Sequence, residues 1–168
     1  MARLHSKSLE GDLGVAVKTQ YFKFEEDFVE DNVRCIPMIV RFKLDACGIK
    51  LKLTEWSKMS TEQRMVLAEL QCESSTDVAA YREYLRQLIK SITKQNATDL
   101  TIDQNPQWAQ LSEIPAILIE KVTEFNLSLS LSQWKGLDTL QRFALLKLSA
   151  ASHENRNFPK AMKEFNLA

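Results

Sequence analysis

Two short segments in the first third of the chain alternate apolar and polar residues: Val40-Arg-Phe-Lys-Leu-Asp45 and Ile49-Lys-Leu-Lys-Leu53. Taken alone, that period of two predicts a β-hairpin turning at Ala46-Cys-Gly48. Further along, Ile114, Leu118, Val122 and Phe125 recur at helical spacing, with Lys121 and Glu124 on another face. The two regions are related. At an offset of 78 residues, Ile36-Pro37 matches Ile114-Pro115, and Ile49-Lys-Leu-Lys-Leu-Thr-Glu-Trp56 matches Leu127-Ser-Leu-Ser-Leu-Ser-Gln-Trp134. Ser60-Thr-Glu-Gln-Arg64 matches Asp138-Thr-Leu-Gln-Arg142 in the same register. Tyr81, Leu85 and Leu88 correspond to Phe158, Met162 and Phe165 after a one-residue shift. This is the pattern of a duplication, so the helical period of the second copy decides the reading of the first. Pro37 and Pro115 suit a first helical turn, where the missing N–H has no partner to lose. Gly48 and Asn126 tolerate the left-handed conformation that ends a helix.

Capping signals repeat as well. Thr54 and Ser132 are placed to cap a short helix bearing Trp56 or Trp134. Ser60-x-x-Gln63 is a capping box and Asp138-x-x-Gln141 its near equivalent. Ser74 or Ser75, and Ser152, mark the start of the last helix of each unit; in the first, Val78, Tyr81, Leu85, Leu88 and Ile92 form one apolar stripe. The expected fold is all-α: two tandem pseudo-repeats of about three helices, packed about a pseudo-two-fold axis into one domain. The alternative is α+β with a hairpin at 40–53. The expected organisation is a leader over 1–20, a first unit over 21–93, a polar linker over 94–112 containing Asn105-Pro106, and a second unit over 113–168.

A chain of 168 residues buries about 70% of its unfolded surface and needs no metal or disulfide to fold. Lysine plus arginine equal aspartate plus glutamate at 22 each, giving a net charge of 0, which argues against general nucleic-acid binding. The 3 cysteines, Cys35, Cys47 and Cys72, are an odd set without a CxxC pair and point to a reducing cytoplasm. No apolar run is long enough for a signal peptide or a spanning helix, so no membrane role is expected.

Phe24-Glu-Glu-Asp-Phe28, Arg34-Cys-Ile-Pro-Met38 and Arg41-Phe-Lys-Leu-Asp-Ala-Cys-Gly-Ile-Lys-Leu-Lys-Leu53 form a longer pattern. It continues through Gln141-Arg-Phe-Ala-Leu-Leu-Lys-Leu148, His153-Glu-Asn-Arg-Asn-Phe158 and Lys163-Glu-Phe-Asn-Leu167. Over residues 21 to 167 the chain resembles the nitrate reductase associated proteins, small proteins found chiefly in photosynthetic bacteria. The resemblance implies a cytoplasmic accessory protein needed for active assimilatory nitrate reductase, an enzyme carrying a molybdopterin-type cofactor and an iron–sulfur cluster. It implies help with maturation or stability of the reductase, such as holding it while cofactor is inserted. It supplies no catalytic residues and no resident cofactor.

The residues themselves speak against catalysis. His5 and His153 offer one histidine near a helix and one in the leader, and Gly11, Gly14, Gly48 and Gly136 form no phosphate loop. Cys35 follows Arg34 near a helix N-terminus, a setting that lowers a thiol pKa, but free cysteine is usually packed inside. Cys35 and Cys47 are out of phase on a helix, so no metal site is expected. The partner-binding candidates are charged. Arg34, Arg41 and Lys43, with Lys50 and Lys52, flank Glu25, Glu26, Asp27, Glu30 and Asp31. They read either as a solvated face with internal salt bridges or as a docking surface for the reductase or an anionic pterin phosphate. Arg64 and Arg142 read as structural, bonding the opposite unit or capping its helix ends; Trp56 and Trp134 read as core wedges. His153-Glu-Asn-Arg156 departs from its counterpart in the first unit, which makes His153 and Arg156 candidates for a unit-specific contact. A cofactor-handling protein and a helical adaptor unrelated to nitrate are the rival functions.

Overall fold

Helix α1 (Met38–Cys47) begins after Pro37 and stops at Gly48, whose φ of 73° lets its N–H reach back to the Leu44 carbonyl at 2.9 Å. This is seen in a computed structural model that describes residues 21–25, 35–150 and 156–168. The hairpin alternative at 40–53 is not formed. The misleading alternation has a physical cause: α1 is wedged between two hydrophobic clusters. Val40, Leu44 and Cys47 pack with Trp56, Leu67, Tyr81, Leu85 and Ile89 of the first half. Met38 and Phe42 pack with Leu118, Trp134, Phe143 and Phe158 of the second, and Ile39 touches both clusters. A helix buried on two sides carries apolar residues at more positions than a one-sided stripe allows. Ile49–Lys50 is extended (β1), but it pairs antiparallel with Thr98–Asp99 (β2), inside the expected linker.

The remaining helices are α2 (Leu53–Lys58), α3 (Thr61–Glu69), α4 (Ser75–Thr93), α5 (Ala116–Glu124), α6 (Leu131–Gly136), α7 (Thr139–Ala150) and α8 (Asn157–Glu164). Among the described residues the fold is helical apart from the two-residue ribbon. α1 and α5, α2 and α6, and α3 and α7 each start 78 residues apart. Ser60 and Gln63 exchange both capping-box bonds at 2.8 and 3.2 Å, and Asp138 and Gln141 do the same at 3.0 and 2.7 Å. Ser74 and Asp77 cap α4 in this way. The tryptophan helices correct an expectation: their caps lie two residues before Thr54 and Ser132. The Lys52 N–H donates to the Glu55 carboxylate, and Ser130 exchanges bonds with Gln133. A Glu or Gln at the third helical position, not the nearest hydroxyl, sets those starts. Ser152 lies outside the described residues.

A 3₁₀ turn at Lys23–Glu25 packs on α8, where Phe22 and Phe24 stack at 5.3 Å and Phe165 meets Phe22 edge-on at 5.1 Å. The backbone N–H groups of Lys23 and Phe24 donate to the Glu164 carboxylate at 2.7 and 3.2 Å. Among the described residues no helix is long and apolar enough to cross a membrane.

Candidate functional site

The charged candidates near α1 divide by where the fold turns them. Glu25 is buried, and its carboxylate accepts from the N–H of Met38 at 2.7 Å and of Phe22 at 3.3 Å. It satisfies one of the free donors at the start of α1. Burial pushes its pKa up to about 7, against the pull of those two N–H groups and of Arg41, and Glu164 adds to the rise. Lys43 is buried too. Its Nζ donates to the carbonyls of Ala68 and Leu70, each at 2.6 Å, closing the end of α3. Burial lowers its pKa, with Cys72, Glu73 and Glu69 opposing. Arg41 is half-buried and its Nε donates to Ile36 O at 3.0 Å. Glu25 and Lys43 thus cap helices, and neither lies on an open face. Arg156 is exposed just before α8. Arg34, Glu26, Asp27 and His153, with Glu30 and Asp31, lie outside the described residues.

The repeated arginines also close helix ends, each within its own half of the chain and not across to the other. Arg64 lies over the Trp56 ring, 5.4 Å from its centroid, and donates to the carbonyls of Trp56 and Ser57 at 3.1 and 3.2 Å. Arg142 lies over Trp134 at 5.9 Å and donates to Leu137 O and, at 2.8 Å, to Trp108 O. The Trp134 indole N–H meets Gln110 O at 2.8 Å. The thiols of Cys47 and Cys72 are buried, and burial pushes both up to about 11, so they stay protonated near neutral pH. Among the described residues no group of three or more His, Cys, Asp or Glu is placed to hold a metal ion.

The expected linker builds a feature that sequence reasoning missed. A groove of about 610 Å³ runs between the end of α1, residues 100–108, α5 and α7. Its wall is pinned at Gly48, whose carbonyl accepts from Leu100 N–H at 2.9 Å. Arg82 clamps the same corner, donating to Cys47 O, Gly48 O and the Asp99 carboxylate at 2.7–2.8 Å. At its floor Trp108 meets Phe42 edge-on at 5.1 Å and Phe143 at 6.5 Å. Over the rim, Lys147 of α7 pairs with Asp45 of α1 at 3.0 Å. The signal was present: Leu100 and Ile102 alternate with Thr101 and Asp103, and Trp108 has no counterpart in the repeat.

These contacts define a small helical protein in which Glu25, Lys43 and Arg142 close helix ends and in which Leu100 and Ile102 of the connecting segment share an exposed groove with Ile117. The chain belongs to the family of conserved nitrate reductase-associated proteins, whose sequence profile matches residues 21–165. No curated protein and no solved structure matches it.

Proposed function

We propose that the protein is a non-enzymatic cytoplasmic accessory factor that docks on nitrate reductase and holds it during maturation, at the step where the molybdenum cofactor is inserted. The observation that carries this reading is the family match across residues 21–165, which takes in every described helix. The physical chemistry of the interior agrees with a binding role. Its buried Glu25 and Lys43 serve as caps, and its buried thiols are held protonated where a nucleophile or metal ligand needs the thiolate. The protein then acts through its surface, by binding one conformation of the reductase more tightly than another.

The test is direct binding of the purified full chain to purified reductase, prepared with and without its molybdenum cofactor. Preferential capture of the cofactor-free form, and faster recovery of nitrate reduction on adding cofactor, is the expected result. Equal indifference to both forms overturns the proposal.

A further inference from the structure

The groove beside residues 100–108 has the features of a prepared docking surface. Leu100, Ile102 and Ile117 line it and remain 37%, 41% and 38% exposed, so three large aliphatic side chains meet water along one concave strip. Scattered exposed aliphatics are ordinary; aliphatics gathered over an aromatic floor mark an interaction site. The strip is also fixed in advance. Its wall is tied to Gly48 and to Arg82, and its floor to α7 through the bond from Arg142 to Trp108 O, so little ordering is left for a partner to impose.

Its chemistry selects the occupant. Small-molecule sites enclose most of their ligand and orient it with a few well-placed polar groups. Here none of the buried polar side chains of the described residues lines the groove, and Arg142, beneath its floor, is bonded to the carbonyls of Trp108 and Leu137. Its charged lining residues are Asp45, Asp103 and Lys147. Asp45 and Lys147 neutralise each other across the rim, which leaves Asp103, exposed beside Ile102, as the net charge. We infer that this groove binds an extended or helical segment of a partner polypeptide, bearing apolar side chains for the strip and a lysine or arginine for Asp103. Resting on the proposed function, the inference assigns that segment to nitrate reductase.

The experiment measures affinity of the full chain for purified nitrate reductase at two salt concentrations, with three variants. Ile117→Lys places a charge in the strip. Asp103→Lys reverses the rim charge without touching the core. Ile119→Lys is the control: it sits on the same helix, is 48% exposed and does not line the groove. Melting temperatures confirm that each variant is folded. The expected result is a loss of at least tenfold for Ile117→Lys, a smaller loss of affinity and of its salt dependence for Asp103→Lys, and no change for Ile119→Lys. Wild-type affinity in both groove variants overturns the inference and leaves the proposed function standing. Failure of the wild-type chain to bind the reductase removes the proposed function, and the assignment of this segment with it. Sedimentation run alongside tests a second copy as occupant: a dimer dispersed by Ile117→Lys overturns the assignment to another protein.

Discussion

The Glu25 carboxylate sits 2.7 Å from the backbone nitrogen of Met38, so a residue of the turn that precedes α1 caps the first turn of that helix from outside. The position is buried, and the acid is half-protonated at a pH of about 7.

Because its folded-state pKa lies above the usual 4.5, the folded protein binds this proton more tightly than the unfolded chain does. The stabilisation from Glu25 is therefore complete below about pH 4.5 and is lost as the pH rises through about 7. It amounts to roughly 3–4 kcal/mol at most. Urea unfolding of wild type and Glu25→Gln at pH 5 and pH 8 checks this. The wild type should lose stability relative to the variant on going to the higher pH, and a pH-independent difference refutes the assignment.

Lys43→Met keeps most of the side chain's volume and removes its ammonium. The carbonyls of Ala68 and Leu70 then lose their donor in a buried place. A loss of about 2–4 kcal/mol in chemical denaturation is expected, with the far-UV spectrum preserved.

Arg64 and Arg142 occupy matching places on α3 and α7 but differ in burial. Arg142 is 8% exposed and ties Leu137 to Trp108, whereas Arg64 is half-exposed and closes only the end of α2. Replacement by lysine should cost about 2–3 kcal/mol at Arg142 and about 1 kcal/mol or less at Arg64, read from paired denaturation curves. Equal costs would show that the repeat in sequence is also a repeat in energetics.

Two glycines should respond to alanine with opposite signs. At Gly48 the φ is +73°, and an added Cβ would stand 2.9 Å from Leu100 O and from the Ile102 side chain. Gly48→Ala should destabilise by about 2 kcal/mol or more. At Gly136, in the last turn of α6, an added Cβ meets nothing within 4 Å. Gly136→Ala should stabilise by about 0.5–1 kcal/mol, seen as a higher melting temperature.

The helices were legible in the sequence because their ends are local chemistry. Ser60 with Gln63, Asp138 with Gln141, and Gly48 each act within four residues and reappear in the structure, whereas Thr54 and Ser132 give way to caps two residues earlier. What was not legible depends on distant partners. The charge on Lys43 reads as surface until α3 ends beside it, 25 residues on, and the carboxylate of Glu25 reads as surface until Met38 turns back onto it. The segment 94–112 reads as a tether because its polar residues outnumber its apolar ones. Its contribution comes from single anchors, Leu100 at Gly48 and Trp108 beneath Arg142, which carry no periodicity.

The bonds from Lys23 and Phe24 to Glu164 join positions about 140 residues apart, so the described chain is fastened nearly end to end into a ring. Closing so long a loop is entropically costly but only slightly more so than closing half of it, since the cost grows with the logarithm of length. The clasp is held by those bonds and by the packing of Phe22 and Phe24 on Phe165. Removing α8 would release the Lys23–Glu25 turn, and with it the acceptor on Met38. Damage at the far end of the chain would thus loosen the first turn of α1, the helix on which both cores pack.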